Sequence, residues 1–394
     1  MLARLPCSSS IGKVSCDTRR LAQRLTLAVL AAVASACGGG GSSGPGPGSF
    51  SVSMGAEQNV ISPGSAGLQF TPDEHLSFQR QADGSFKLWF SGGGTIGTLG
   101  FTTPDLFALT PMKSSNGVPA GVLLPAGPGT TAFDADYAGA GSVFPAANGT
   151  DLLIIYHAEN HLYSGKDYPG TPFYAGIGLA RSQDGGYSWQ RQGEIISGLD
   201  PQQPTQAPTG AGALTPAAIE SGGYIYVVFR ELDQQSNLRG FAIARAPVSG
   251  DGAPGSWQKY YQGAFSTPGL GGNFTPLNLV LDPGANSDQR QPNVSFNSYL
   301  QSFVLTAVGN GGIYLATSPD LIQWTVGQVI LPAPVPDSTV TPSTAPYNWY
   351  PTLVSTDQAS EEVTSQSGYL YYAKGLGNGT SDHYMYRRPF TINK

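Results

Sequence analysis

Charged side chains are scarce in this sequence. Asp, Glu, Lys and Arg make up 12% of its 394 residues, and no long stretch after the N-terminal region has the apolar periodicity of a helix. The low charge excludes a highly charged disordered chain, and the missing periodicity argues against a helical bundle. Turn-forming residues are abundant instead, with 53 glycines and 31 prolines. This composition predicts an all-β protein with many turns.

Cysteine and positive charge are also in short supply. The chain has three cysteines, and the last of them is Cys37, so the residues after it can form no disulfide and cannot use a catalytic cysteine. The first 36 residues hold five basic residues and one acid, so their removal takes the formal net charge from −6 to −10. An acidic chain disfavours nucleic acid as a partner, since phosphates need cationic neutralisation. No glycine-rich phosphate loop precedes a helix, so nucleotide-dependent chemistry lacks support.

The first 48 residues are interpreted as a targeting segment and a tether. Residues 25–36 form an apolar run of 12, too short to span a bilayer but typical of a signal-peptide core. The run ends in Ala-Ser-Ala before Cys37 and resembles a bacterial lipobox, whose cysteine is lipidated after cleavage. A Gly/Ser/Pro tether, residues 38–48, follows it. We therefore expect a signal peptide over 1–36, a lipidated Cys37 with the tether over 37–48, and a folded domain over 49–394. The expected location is the bacterial cell envelope, on the outer membrane or cell surface of a Gram-negative host. Ordinary secretion after cleavage near residue 36 is the alternative.

The folded region carries an internal repeat. Trp189, Trp257 and Trp324 are separated by 68 and 67 residues, and a fixed period of that size indicates a repeat architecture. Short apolar, aromatic-rich runs recur along the same region and are typical of strands. These runs are residues 86–90, 152–156, 224–229, 302–306 and 369–372. Five units share the 346 residues from Ser49 to Lys394, about 69 residues each, which suits a four-stranded propeller blade with its loops. The sequence thus predicts a five-bladed β-propeller, with a β-sandwich as the alternative.

Two motifs carry a resemblance to known propellers. Residues 182–189 follow the pattern Ser-x-Asp-Gly-Gly-x-Ser-Trp and resemble the Asp-box turn of sialidases and other β-propellers, with looser copies around Asp105 and Asp320. Asp suits such a turn because it accepts hydrogen bonds from nearby backbone amides, and Gly accepts a positive φ. These turns, the run Gly-Ser-Val-Phe at 141–144 and the repeat architecture make residues 50–394 similar to the five-bladed propeller glycosidases. That superfamily includes arabinanases, β-xylosidases, invertases and levansucrases.

The resemblance implies a set of catalytic acids. In a propeller, the starts of the innermost strands and the ends of the second strands meet on one face. The glycosidases place acids on the innermost strands of their first three blades, because glycoside hydrolysis needs one carboxyl to protonate the leaving oxygen and another to attack or activate water. Here the third blade has no acid at the start of its innermost strand, so an acid at the end of a second strand, Glu159 or Glu231, is expected to donate the proton. The candidate catalytic residues are Asp73, Glu74, Asp136, Glu159 and Glu231.

Further side chains on the same face are predicted to bind the substrate. Trp349 and Tyr350 suit a stacking platform, since the apolar face of a sugar lies well on an aromatic ring. The set is His75, Asp134, His157, His161, Arg230, Arg290, Trp349, Tyr350 and Lys374. His157 and His161 have a helical spacing inside a strand pattern, so no metal site is predicted. No cofactor is expected, and calcium is the alternative left open. Sialidases clamp a carboxylate with three arginines, and only two arginines are placed here.

Two functions follow from these observations. The first is a cell-envelope lipoprotein with a glycoside hydrolase-like propeller that acts on glycans, with carbohydrate as its partner and a lipid anchor in the membrane. The second is a non-catalytic propeller that binds glycans or a protein at the envelope. The geometry of the acids distinguishes them: carboxylates that share one pocket favour catalysis, and acids paired with cations favour binding.

Overall fold

The structure is a computed structural model that describes residues 50–62, 71–92, 97–113, 121–129, 131–161, 173–199, 209–233, 238–281, 289–332, 345–377 and 383–394. The predicted signal peptide, Cys37 and the tether lie outside these residues. Among the residues that are described, no helix is long and apolar enough to cross a membrane.

Strands account for nearly all of the regular structure. In chain order they are β1 (Ser51–Met54), β2 (Gln58–Asn59), β3 (Ser77–Arg80), β4 (Phe86–Gly92), β5 (Gly97–Thr103), β6 (Thr110–Pro111), β7 (Val122–Leu124), β8 (Tyr137–Pro145), β9 (Leu152–Asn160), β10 (Phe173–Ser182), β11 (Gln190–Ser197), β12 (Thr209–Ser221), β13 (Tyr224–Asp233), β14 (Leu238–Pro247), β15 (Gln258–Tyr261), β16 (Ala264–Pro268), β17 (Arg290–Asn297), β18 (Ser302–Gly309), β19 (Gly312–Ser318), β20 (Gln328–Pro332), β21 (Tyr347–Val354), β22 (Val363–Thr364), β23 (Ser367–Gly375) and β24 (His383–Asn393). A 3-10 turn, Val248–Gly250, follows β14. The predicted all-β class is confirmed.

Most strands pair antiparallel with their neighbours in the chain. The described strands form five successive meanders: meander 1 is β3–β7, meander 2 is β8–β11, meander 3 is β12–β16, meander 4 is β17–β20, and meander 5 is β21, β23 and β24. Strand β1 pairs with β24, in register from Ser51↔Asn393 to Met54↔Phe390, so the N-terminal strand completes the sheet of the last meander. A short parallel contact between β10 and β12 joins meanders 2 and 3.

Alternate side chains of strand β9 belong to two different hydrophobic clusters. In β9, Leu153 and Ile155 belong to a hydrophobic cluster shared with meander 3, whereas Ile154 and Tyr156 belong to a cluster shared with meander 1. Successive side chains of a strand point to opposite faces, so a strand between two packed sheets is apolar at every position. This explains why the runs found in the sequence are continuously hydrophobic.

Five such clusters connect the meanders in a cycle. Meander 1 packs on 2, 2 on 3, 3 on 4 and 4 on 5, and the fifth cluster joins meander 5 to meander 1 through Tyr371 and Phe90. Sheets that pack face to face in a closed cycle form a β-propeller. Trp257 and Trp324 lie in two of these clusters, and Trp189 packs against a third.

The Asp-containing turns share one pattern of hydrogen bonds. Asp184 Oδ1 accepts from the backbone N–H of Tyr187 (3.0 Å) and Ser188 (2.9 Å), and Asp105 and Asp320 close their turns in the same way. Gly186, at φ 91°, lies so close to the indole of Trp89 that an added Cβ would come within 2.4 Å of it. The second glycine of the turn is therefore required by packing against the neighbouring meander.

One segment of meander 5 closes one end of the central channel. Residues 359–364, between β21 and β23, contact the C-terminal ends of β3, β12 and β17, the innermost strands of meanders 1, 3 and 4. Ala359 accepts from the N–H of Arg80, Glu362 Oε1 from the N–H of Glu220, and β22 pairs with the end of β17. The opposite end, where the innermost strands begin, holds a pocket.

Candidate active site

The pocket lies where the innermost strands of the meanders begin. It is lined by Asp73, Glu74, Tyr137, His157, Glu159, Phe173, Leu214, Thr215, Arg230, Arg290, Gln291, Trp349 and Tyr350. All five meanders contribute to this lining, so side chains far apart in sequence meet around the channel axis. We call this site the mouth pocket.

A β-bulge recurs in three innermost strands, in the first half of β17 and β21 and midway along β12. Thr215, Gln291 and Tyr350 have φ of 51°, 55° and 52°, and the pairing of each strand with the next is interrupted there. Each of the three precedes a proline. A bulge re-aims side chains, and non-glycine residues at positive φ concentrate at functional sites. The three bulges place Thr215, Gln291 and Tyr350 in the lining of the mouth pocket.

Two carboxylates and two histidines form a chain along one wall. Glu74 Oε1 is hydrogen bonded to His157 Nδ1, and His157 Nε2 lies 3.5 Å from Glu159 Oε1. The other oxygen of Glu159 is 2.8 Å from His161 Nε2. All four side chains are buried. Burial alone would lower the pKa of His157, but the adjacent carboxylate of Glu74 outweighs it and raises that pKa. The raised pKa favours the imidazolium form of His157, which lies between the two carboxyl groups.

Asp73 is the third acid of the mouth pocket. Its side chain is 17% exposed, and Tyr350 Oη donates to its Oδ1 at 3.1 Å. Enclosure in the pocket, and then the negative charges of Glu159 and Glu74, raise the pKa of Asp73 to about 8. Burial also raises the pKa of Glu74. Three carboxyl groups thus share a site with one histidine, and at pH 7 Asp73 holds a proton.

Aromatic rings form the wall contributed by meander 5. Trp349 and Tyr350 stand edge to face, with ring centroids 6.1 Å apart, and His383 packs behind both of them. Phe173, from meander 2, lines the pocket and stacks on His161 at 5.2 Å. The predicted pair, Trp349 and Tyr350, does line the pocket.

Several buried polar atoms of pocket residues have no hydrogen-bond partner among the described residues. They include Glu74 Oε2, His157 Nε2, Thr215 Oγ1 and Trp349 Nε1. Buried polar groups are normally paired, so each such atom calls for an explanation. A ligand that both donates and accepts hydrogen bonds would satisfy this mixed set.

The structure brings many of the predicted site residues to the pocket. Those that line it are Asp73, Glu74, His157, Glu159, Arg230, Arg290, Trp349 and Tyr350. His161 and Asp136 support it from behind: His161 holds Glu159, and Asp136 Oδ2 accepts from the backbone N–H of His161 at 2.7 Å.

Glu231 does not reach the pocket, although it was predicted as a catalytic residue. It is fully buried and paired with Lys259 at 2.8 Å, and it also accepts from the N–H of Leu199. The physical reason is the alternation of β13: Arg230 lines the pocket, so the next side chain points into the sheet interface. Burial raises the pKa of Glu231 to about 7 and lowers that of Lys259.

Three predicted binding residues also lie elsewhere. Asp134 is paired with Arg191 at 2.6 Å and accepts from Tyr156 Oη, so it fixes the edge of meander 2. Lys374 is paired with Glu57 from the N-terminal segment. His75 lies 3.3 Å from Ser142 Oγ, away from the pocket lining, and burial lowers the pKa of His75 to about 3. These contacts are structural.

Some lining residues were not singled out from the sequence. They are Tyr137, Phe173, Leu214, Thr215 and Gln291. For Thr215 and Gln291 the sequence did hold a signal, because each precedes a proline in an innermost strand, as Tyr350 does. Tyr137 and Phe173 have no such marker.

No group of three or more His, Cys, Asp or Glu side chains suited to a metal ion occurs within the described ranges. The expectation about calcium stays a prediction, as does lipidation of Cys37.

The chain resembles solved glycosidase structures. It is similar to an α-L-arabinofuranosidase from Lactobacillus brevis, with a TM-score of 0.52 and 12% identity over 82% of this chain and 91% of that one. An endo-1,5-α-L-arabinanase from Thermotoga petrophila has a TM-score of 0.49 and 12% identity, over 81% of this chain and 70% of that one. No protein-family model and no curated protein sequence matches the chain.

These similarities concern the fold. At 12% identity, the match to the Lactobacillus brevis enzyme shows a shared fold and carries neither a family nor residue roles. The roles of the pocket residues therefore rest on the geometry of the mouth pocket alone.

Proposed function

We propose that this protein is a glycoside hydrolase of the bacterial cell envelope that cleaves glycans in the mouth pocket. The observation that supports it most is the gathering of Asp73, Glu74 and Glu159 in one pocket beside the rings of Trp349 and Tyr350. Acids on one side and an aromatic platform on the other are what a bound sugar and its glycosidic bond require.

We assign Asp73 as the proton donor. A general acid must hold its proton at working pH, and a pKa of about 8 keeps Asp73 protonated at pH 7. In the proposed reaction its proton passes to the glycosidic oxygen as the bond to the anomeric carbon breaks.

We assign Glu159 not as the proton donor expected from the sequence but as the partner that attacks the anomeric carbon or activates water. The hydrogen bond from His161 Nε2 and the nearby His157 fix the orientation of its carboxylate. In this assignment Glu74 is a positioning residue, because it acts through His157, whose charge it stabilises. The two roles of Glu159 give opposite stereochemical outcomes, which the anomer of the product distinguishes.

A screen of aryl-glycosides and of plant and microbial polysaccharides tests this proposal. Wild type is expected to release reducing sugar from at least one substrate, and Glu159→Gln to release none while it remains folded by circular dichroism. NMR of the first product identifies the anomer. No turnover on any substrate would overturn the proposal.

A second function, glycan binding without cleavage, is favoured by one observation. The pocket lining from β12, the innermost strand of meander 3, is Leu214 and Thr215, whereas the glycosidases that the chain resembles carry an acid on this strand. Under this alternative, calorimetry would detect oligosaccharide binding with no turnover, and Asp73→Asn would bind as wild type does.

Anchoring to the envelope is a separate part of the proposal. It rests on the lipobox-like sequence at Cys37 and the tether after it. Labelling of cells with an alkyne fatty acid is expected to mark wild type and to miss Cys37→Ser. A Cys37→Ser protein that stays membrane-bound would contradict it.

A further inference from the structure

The bulge in β21 leaves backbone groups that the sheet does not pair. The pairing of β21 with β23 is interrupted between Trp349 and Thr352, so Tyr350 and Pro351 fall outside the ladder. Tyr350 has a φ of 52°. A β-bulge leaves its extra residue unpaired, and buried backbone polar groups then need partners from elsewhere. The partners of this bulge therefore decide how firmly Tyr350 is held.

Two side chains of meander 4 are those partners. Gln291 Oε1 accepts from the backbone N–H of Tyr350 at 3.1 Å, and Thr306 Oγ1 donates to the C=O of Pro351 at 3.2 Å. Both side chains are buried, Gln291 on β17 and Thr306 on β18. Gln291 is itself the bulge residue of β17, with a φ of 55°. The bulge of one meander thus holds the bulge of the next.

The residue held in this way bonds to the proposed proton donor. Tyr350 Oη donates to Asp73 Oδ1 at 3.1 Å. The ring of Tyr350 packs against Trp349 and His383, with centroids 6.1 and 6.0 Å away. A tyrosine side chain has only two rotatable bonds, so the position of Oη follows from the backbone once the ring is packed. Contacts that fix the backbone of Tyr350 therefore also fix the hydrogen bond to Asp73.

Other titratable groups face Asp73 from every side of the mouth pocket. Glu74 adjoins it in the chain, and His383 Nε2 lies 4.0 Å from its Oδ1. The remaining groups are Tyr137, His157 and Glu159 of meander 2, Arg230 of meander 3 and Arg290 of meander 4. The negative charges of Glu159 and Glu74 raise the pKa of Asp73, whereas the hydrogen bond from Tyr350 and then the charge of His157 lower it. Tyr350 is thus one of the groups that control when Asp73 ionises.

We propose that Gln291 and Thr306 are positioning residues for Asp73 and that they act through the backbone of Tyr350. The proposal rests on the proposed function of the mouth pocket, in which Asp73 is the proton donor. Gln291 and Thr306 hold the bulge, and the bulge holds the hydroxyl of Tyr350 on Asp73 Oδ1. Because Oδ1 accepts that hydrogen bond, the acid proton is kept on Oδ2, from which it passes to the glycosidic oxygen.

Carbon-13 NMR of the resting protein tests this proposal without a substrate. With aspartate labelled at its side-chain carboxyl, the signal lost in Asp73→Asn reports the pKa of Asp73. Gln291→Met keeps the length of the side chain but cannot accept the hydrogen bond, and Thr306→Val removes only the hydroxyl. Each variant is expected to raise the pKa of Asp73 by less than about one unit, because the hydrogen bond from Tyr350 lowers it.

Combination with Tyr350→Phe shows whether the effect passes through Tyr350. Tyr350→Phe already removes the hydroxyl, so Gln291→Met added to it should raise the pKa of Asp73 no further. A further rise, additive with that of Tyr350→Phe, would overturn the proposal. Thr215→Val is the matched control, at the bulge residue of β12, whose hydroxyl has no hydrogen-bond partner among the described residues. It should leave the pKa of Asp73 unchanged.

The outcomes separate this inference from the proposed function. A rise in the pKa of Asp73 that disappears in the Tyr350→Phe background supports the inference even if wild type cleaves no substrate. An unchanged pKa in Gln291→Met and Thr306→Val, with both folded by circular dichroism, would overturn it. In an active protein, a Gln291→Met variant that raises KM but keeps the wild-type fall of kcat/KM at alkaline pH would also overturn it, because Gln291 would then contact the substrate directly.

Discussion

The two ends of the central channel both hold acids with raised pKa values, yet they differ in what those acids contact. At the mouth, enclosure and neighbouring charges raise the pKa of Asp73 to about 8. At the closed end, burial and then the charge of Glu220 raise the pKa of Glu362 to about 8, and burial raises that of Glu361 to about 7. A raised pKa alone therefore does not identify a functional carboxyl group.

Hydrogen bonding is what separates the two ends. Glu361 accepts from Ser77 Oγ and from the N–H of Phe78, and Glu362 accepts from the N–H of Glu220. These acids tie the closing segment to innermost strands. At the mouth, Glu74 Oε2 and His157 Nε2 are buried and have no hydrogen-bond partner among the described residues. The hydrogen-bonded acids of the closing segment stabilise the ring, and a buried pocket atom without a hydrogen bond, such as Glu74 Oε2, points to a ligand.

Substitution of one acid at each end of the channel should give the largest difference in kcat/KM. Asp73→Asn removes the proposed proton donor, and we expect kcat/KM to fall about 10³-fold, within the range of general acid catalysis. Glu362→Gln changes an acid of similar pKa at the closed end and should leave kcat/KM of the folded protein within about twofold. Steady-state kinetics on the substrate found in the screen checks both. Equal losses for the two variants would contradict the distinction between the ends.

Glu361 is expected to make stability depend on pH. The folded protein holds its proton up to about pH 7, whereas the unfolded chain releases it near the ordinary value of 4.5. The free energy of unfolding therefore falls as pH rises from about 4.5 to 7, by up to about 3 kcal/mol from this group. Glu361→Gln should flatten that dependence in denaturant titrations, and Asp357→Asn, at an exposed site two residues before the closing segment, should not. An unchanged slope in Glu361→Gln would contradict the assignment.

The fall of kcat/KM at alkaline pH, the alkaline limb of the pH profile, tests the role assigned to Asp73. Because the proton donor must be protonated, kcat/KM should decline above pH 8, tenfold per pH unit once Asp73 is ionised. Glu362→Gln should keep the same limb, since its acid lies at the closed end. A pH profile that stays flat to pH 10 would exclude Asp73 as the donor.

The sequence predicts the fold well, because the fold depends on local patterns. Continuous apolar runs, turns closed by Asp184 and its counterparts, and the tryptophan spacing all act over a few residues or repeat at a fixed interval. His157 and Glu159 were predicted because both lie at the end of a second strand, and side chains two apart on one strand share a face. Much of the mouth pocket follows once the strands are aligned.

The rest depends on contacts between distant parts of the chain. Whether Arg230 or Glu231 faces the channel is set by the register of β13, and Lys259 fixes the answer from β15. Lys374 pairs with Glu57 across 317 residues. The closing segment at 359–364 has no motif, because its role arises from where the other innermost strands end. Local sequence patterns do not determine the register of β13, the pairing of Lys374 with Glu57 or the position of the closing segment.

The smallest expected effect tests the contact between Tyr350 and Asp73. Tyr350 Oη donates to Asp73 Oδ1 at 3.1 Å, and this hydrogen bond lowers the pKa of Asp73 against the larger effect of burial. Tyr350→Phe removes the bond while the ring remains, so the pKa of Asp73 should rise and the alkaline limb of kcat/KM should move to higher pH by less than about one unit. Tyr226→Phe, on a tyrosine outside the mouth pocket, is the matched control. A limb that moves to lower pH in Tyr350→Phe would mean that the group titrating above pH 7 is not Asp73. Loss of this hydrogen bond should raise the pKa of Asp73, so the direction in which the alkaline limb moves is fixed in advance. That direction tests the identity of the proton donor more directly than a loss of rate does.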